Sequence, residues 1–364
     1  MLRFRFMAPV AVSLLTVAAA QAQVTPAAGF TPPDDTPSYK VGATIFGDYT
    51  YIDSPTTKDA DNNTIHSSSF NISRAYVNVT GNLNHLIAFR ITPDVTRETG
   101  TGSSLNGSLT FRLKYGFGQL NLDDWMTKGS WVRFGIQQTP YVDYTENIYR
   151  YRFQGQIFAE RVGLLTSSDA GLSGHYNFAS NYGDVHVGYY NGEGYSKVET
   201  NNEKAIQIRA SVRPLPMGGV FKGLRVTGFF DDDHAVASAK RQRAIGQVTF
   251  EHPLINLGAD IAQSKDAASA TKATVSGSGW SVWATPRLGL TGWELLLRHD
   301  DWKPNKDVSS QTQKRNIFGG AYWFHHPTKV QAALMADYDS QKQANFSPTR
   351  ADDTRYGLKM LINF

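Results

Sequence analysis

The 364-residue sequence contains no cysteine, which excludes a disulfide framework, a thiol nucleophile and any cysteine-ligated zinc or iron–sulfur centre. Long apolar runs are missing as well. Nowhere after Ala22 do about 18 uncharged apolar residues follow one another, so no membrane-spanning helix is encoded. A strong charge of either sign is also absent, because 36 Lys and Arg stand against 32 Asp and Glu. Such a balance supports no basic stripe for phosphate backbones, and nucleic acid is not expected as a partner. The sequence has no Gly-x-Ser-x-Gly elbow, no Walker loop and no His-Glu-x-x-His pair, so neither catalytic residues nor a metal or cofactor site is expected.

What is present begins with an address. Arg3 and Arg5 precede an apolar stretch from Ala8 to Ala20, and Ala20-Gln21-Ala22 offers small residues at the spacing a signal peptidase reads. Residues 1–22 are therefore expected to be a cleaved leader. Residues 23–39, rich in proline, form an extended lead-in. From residue 40 to residue 364 apolar side chains recur on every second position. In the first such segment these are Val41, Ala43, Ile45, Gly47, Tyr49 and Tyr51. Sixteen segments show this period: Lys40–Asp53, Ala75–Val79, Ile87–Ile91, Leu109–Tyr115, Val132–Ile136, Leu172–Phe178, Val185–Tyr189, Ile206–Val212, Leu224–Phe230, Ala244–Phe250, Ile255–Ile261, Trp280–Ala284, Trp293–Leu297, Ile317–Trp323, Val330–Tyr338 and Tyr356–Phe364. A period of two marks a strand with one oily face.

Connections alternate between long and short through most of the chain, which would put long loops on one side and short turns on the other. With an even strand count and a leader, this predicts an all-β, transmembrane, antiparallel barrel of the bacterial outer membrane, with long extracellular loops and short periplasmic turns. The sheet must close, since an open edge in hydrocarbon leaves unpaired N–H and C=O groups at several kcal/mol each. A ring of about 16 strands is wide enough to enclose an aqueous channel. Two aromatic girdles are expected: Tyr49, Tyr51, Tyr189, Phe230 and Tyr338 toward the loops, and Trp131, Phe250, Trp293, Trp323 and Phe364 toward the turns. On the face turned away from lipid stand Arg74, Arg90, Arg112, Lys114, Arg133, Arg209, Arg225, Arg298, Arg355 and Lys359, against Asp48, Asp260, Glu294 and Asp337. If these basic groups line open water, small anions are favoured over cations; if carboxylates pin them, they only order the wall.

Phe70–Val95 (FNISRAYVNVTGNLNHLIAFRITPDV), Val132–Tyr141 (VRFGIQQTPY), Phe158–Phe178 (FAERVGLLTSSDAGLSGHYNF), Trp293–Asp300 (WELLLRHD) and Tyr356–Phe364 (YGLKMLINF) together resemble successive blocks of the phosphate-selective porin O and P family. The resemblance implies a homotrimeric porin through which ions and small hydrophilic solutes diffuse passively, with a third loop folded into the barrel. It also implies recognition of Phe364 by the barrel-assembly machinery. The third loop, read as Tyr141–Asp169, supplies Tyr144, Glu146, Arg150, Arg152, Glu160 and Arg161 as constriction residues, and its aromatics are expected to pack it against the wall. Asp231-Asp232-Asp233 would lie in the fifth loop, either solvated or holding a divalent cation that bridges lipopolysaccharide. Two rival functions are a surface adhesin and a barrel enzyme acting on lipid, the latter through Ser173 and His175 on one strand face.

Overall fold

A computed structural model describes residues 34–289, 291–308, 310–325 and 331–364. The expected leader, most of the lead-in and Val330 lie outside these residues. In chain order the elements are β1 (Ser38–Ser54), β2 (Thr57–Lys58), β3 (Thr64–Ile65), β4 (Ser68–Asn82), β5 (Ile87–Arg97), β6 (Leu109–Asn121), β7 (Trp131–Gln138), α1 (Val142–Tyr149), α2 (Phe158–Arg161), β8 (Ser168–Asn177), β9 (Gly183–Tyr190), β10 (Ala205–Val212), β11 (Leu224–Val236), β12 (Ala239–His252), β13 (Ile255–Asp266), β14 (Val275–Pro286), β15 (Trp293–Lys303), β16 (Thr312–Phe324), β17 (Gln331–Ala344) and β18 (Asp353–Asn363). Strands β2 and β3 form a small ladder in the first loop. The other sixteen close into one antiparallel barrel in sequential order. The seam joins β18 to β1, with Tyr51 opposite Tyr356 and Asp48 opposite Lys359, so no strand edge is left open.

The alternation reverses that of a water-soluble sheet. On β10, Ile206, Ile208 and Val212 face outward and exposed, while Gln207, Arg209 and Ser211 are buried on the inner face. Strand β13 repeats this, with Leu257 and Ile261 exposed outside and Asn256 and Asp260 buried inside. A sheet whose apolar stripe points away from its own centre must face lipid, and its ladder must be satisfied around a ring.

Four expectations are corrected. Ile317, Ala321 and Trp323 of β16 do not face lipid: Ile317 and Ala321 are fully buried within the barrel, and Phe318 takes the outer face. Tyr115, expected outside with Leu113, also lies inside. The ladder between β5 and β6 slips between Thr92 and Pro93, and the extra residue on β6 turns Tyr115 inward. Trp131 and Trp323 drop out of the turn-side girdle, since Trp131 stacks on His175 and Trp323 packs edge-on against Tyr151. Asp231, Asp232 and Asp233 are not loop residues; they pair in register with Arg243, Gln242 and Arg241 of β12. The fifth connection on the long side is only residues 237–238, whereas the turn-side connection before β11 runs over 213–223, so the length alternation breaks there.

Candidate functional site

The third loop, residues 139–167, turns into the barrel and narrows it. Helix α1 ends where Arg150 adopts φ 66°, and its N–H closes on the Glu146 carbonyl, which redirects the chain along the inner wall. Val142, Ile148, Tyr149 and Tyr151 are almost wholly buried. They rest on an inward-facing apolar floor that includes Trp283, Leu296, Trp302, Ile317, Ala321 and Met335. Polar pins hold the loop from one end to the other. Tyr141 donates to Asp260 at 2.6 Å, Tyr151 to Glu294 at 3.2 Å and Gln154 to Asp337 at 3.0 Å. Arg150 reaches Glu294 at 3.2 Å and Arg161 reaches Asp339 at 3.0 Å. The Tyr144 hydroxyl lies 2.5 Å from Ser211 Oγ, and the Arg209 guanidinium stacks over the Tyr144 ring at 4.0 Å.

The loop thus covers β10 to β17 and leaves β4 to β7 as the opposing wall. On its free side Arg152 binds Glu146 at 2.5 Å and Glu160 at 3.5 Å. One guanidinium serves two carboxylates. Burial pushes the Glu146 carboxyl up to about 7, although Arg152 opposes the shift and Glu160 adds to it. Burial also works against the charge of Arg152, but Glu146 and Glu160 outweigh it and hold the guanidinium above its ordinary value. Arg152 borders both a loop-side cavity of about 350 Å³, shared with Arg74, Arg161, Arg315 and Arg355, and a turn-side cavity of about 610 Å³, shared with Tyr76, Arg90 and Lys114.

The expected basic residues divide into two groups. Behind the loop they are pinned: Arg209 to Asp184, Arg225 to Glu251, and Arg298 to Asp300 at 2.7 Å. Arg298 also donates to the Gln156 carbonyl of the loop at 2.8 Å, so it fixes the wall and the loop together. On the opposing wall Arg74 and Arg112 share Asp94, at 2.7 and 3.5 Å. Arg90, Lys114 and Arg133 have no carboxylate within 4 Å among the described residues. They lie instead on ring faces: Arg90 over Tyr115 at 4.4 Å, Lys114 over Tyr76 at 4.7 Å, and Arg133 over Trp131 at 3.7 Å and Phe117 at 4.7 Å. Arg355 pairs with Asp353 at 2.6 Å near the loop-side mouth, and Lys359 lies 4.0 Å from Asp48. Ser173 donates to Gln137 at 2.5 Å, and His175 Nε2 lies 3.0 Å from Asp184, so each of the two is held by a different neighbour.

Sequence reasoning passed over Phe46, Tyr76, Phe117 and Asp94. The signal for Tyr76 was available, since it shares parity with Arg74 and Asn78. Tyr115 could not be found this way, because the bulge that turns it inward leaves no mark on the alternation.

No protein-family model matches the sequence, and no curated protein matches it in sequence. Solved structures do match in fold. The anion-selective porin from Comamonas acidovorans superposes with a TM-score of 0.63 at 12% identity, over 90% of this chain and 100% of that one. Salmonella typhi OmpF, in complex with daunomycin, gives 0.62 at 11% identity over 91% and 98%. The outer membrane channel DcaP of Acinetobacter baumannii gives 0.59 at 13% identity over 93% and 100%. The chain is similar to these proteins in architecture, and at such identities the likeness is one of fold.

Proposed function

We propose that the protein is an outer-membrane diffusion porin that passes small hydrophilic solutes and prefers anions. The observation that carries this reading is the trio Arg90, Lys114 and Arg133, which line lumenal cavities without forming an ion pair within 4 Å among the described residues, although Asp143, Glu146, Glu251 and Glu294 line other parts of the same walls. A unit charge at a low-dielectric wall lowers the energy of an anion in the narrows and raises that of a cation. The anion selectivity in the name of the Comamonas acidovorans porin belongs to that protein, and the resemblance to the phosphate-selective porins points the same way. Homotrimeric assembly, insertion by the barrel-assembly machinery and contact with lipopolysaccharide belong to this reading too. The constriction role of Tyr144, Glu146, Arg150, Arg152, Glu160 and Arg161 is part of it.

The test is purified protein in a planar bilayer under a KCl gradient. A reversal potential of the sign set by chloride supports the proposal. A potential of the opposite sign overturns the anion preference, and absence of any conductance overturns the channel.

A further inference from the structure

We infer that the solutes best accommodated by the turn-side half of the lumen are aromatic carboxylates; the inference rests on the channel reading above and names its substrate class. On the β4 to β7 wall Arg74 and Arg112 share Asp94, whereas Arg90, Lys114 and Arg133 lie against ring faces with no carboxylate within 4 Å among the described residues. Lys114 donates to the Tyr76 hydroxyl at 3.2 Å while lying 5.4 Å from the Tyr115 ring centre, and Phe46 meets Tyr76 edge-on at 6.1 Å. Across the cavity Arg150 lies 4.4 Å over Trp323, which meets Phe153 edge-on at 5.7 Å. A ring quadrupole attracts a cation but carries no net charge, so Lys114 presents its positive charge beside a flat apolar surface, while Arg150, which Glu294 partly neutralises, adds chiefly the Trp323 and Phe153 surface.

That pattern continues beyond one cavity. Arg90 borders both the 610 Å³ cavity and a neighbouring one of about 310 Å³, where Phe117 and Arg133 follow. Arg133 in turn borders a third cavity with Trp131. Each step offers a cation and a ring together. A compact inorganic oxyanion would gain the charge but lose hydration against the rings. A neutral sugar would leave the charges unused. An anion with a planar apolar body uses both: its carboxylate pairs with the cation, and its ring packs on tyrosine, phenylalanine or the guanidinium plane. A volume of about 610 Å³ falls within the range that holds small organic ligands.

The experiment is block of KCl current through the wild-type channel by benzoate, acetate and inorganic phosphate, each titrated on both sides of the bilayer. Benzoate is expected to half-block at a concentration about two- to tenfold below acetate, the advantage of roughly one aromatic pair, and below phosphate. In Tyr76→Leu/Tyr115→Leu the gap between benzoate and acetate should shrink. Equal block by benzoate and acetate in the wild type, or tighter block by phosphate, overturns the inference and leaves the porin reading standing. A cation-directed reversal potential in KCl alone, or no conductance, overturns the porin reading and this inference with it.

Discussion

At the scale of single residues, charge in this lumen is sorted by what lies beside it. Arg298 is nearly fully buried and bonded to Asp300, Tyr149 and a loop carbonyl, so its charge is spent on structure. Lys114, just as buried, has no carboxylate within 4 Å among the described residues and donates to the Tyr76 hydroxyl. Replacing Lys114 with glutamine should reduce the chloride-to-potassium permeability ratio about two- to fivefold, the effect of one weakly screened charge near a passing ion. Arg298→Gln should leave that ratio unchanged yet destabilise the fold by about 3–5 kcal/mol, because Asp300 would stay buried without its cation. Reversal potentials and thermal melts in detergent check the two together. Glu146 adds a pH dependence. Its carboxyl titrates near neutrality, so lowering the pH from 8 to 6 protonates it, removes a negative charge from the narrows and strengthens anion preference. Glu146→Gln should show the stronger preference at both pH values; a wild type whose reversal potential does not move with pH would refute the assignment.

At the scale of elements, the third loop decides what the alternation can and cannot reveal. Where a strand has lipid outside and water inside, as on β10 and β13, period two is clean and the segment can be read directly. Behind the loop the inner face is dry. Strands β15 to β17 carry Leu296, Ile317 and Met335 inward; β15 and β17 still mark the inner face with Glu294, Arg298, Asp337 and Asp339, but on β16 Ile317 and Ala321 leave both faces apolar and parity is lost. The bulge on β6 hides Tyr115 for a different reason, since one inserted residue exchanges the faces without altering composition. Strand number and sequential order were therefore legible, and much of the basic wall with them. Which cations were pinned was not, because the pairings run between neighbouring strands and from loop to wall. The floor beneath the loop can be tested at Trp323, which contacts Tyr151, Phe153 and Arg150. Trp323→Ala should release the loop locally at a cost of about 3–5 kcal/mol, while the sixteen-stranded ladder persists. The expected result is a noisier, larger single-channel current with unchanged heat-modifiable mobility on gels; a current identical to wild type would mean that the loop is held elsewhere.

For the molecule as a whole, near-neutral composition and a selective interior are compatible because the positive excess is local. The 36 basic and 32 acidic residues almost cancel, yet the acids concentrate behind and upon the loop while uncompensated cations gather on β4 to β7. A field that arises from separation of charge, with little net charge behind it, is short in range and sensitive to salt. The screening length falls from about 10 Å at 0.1 M to about 3 Å at 1 M, and a charge at the wall then no longer reaches an ion on the axis. Anion preference in simple salts should consequently be marked at 0.1 M KCl and decline toward the bulk mobility ratio at 1 M. Benzoate block should decline less over the same range, since its ring contacts carry no charge and are not screened. Measuring reversal potential and benzoate half-block at both salt concentrations separates the two contributions. Were both to vanish together at 1 M, the rings would contribute nothing and the wall would act by charge alone.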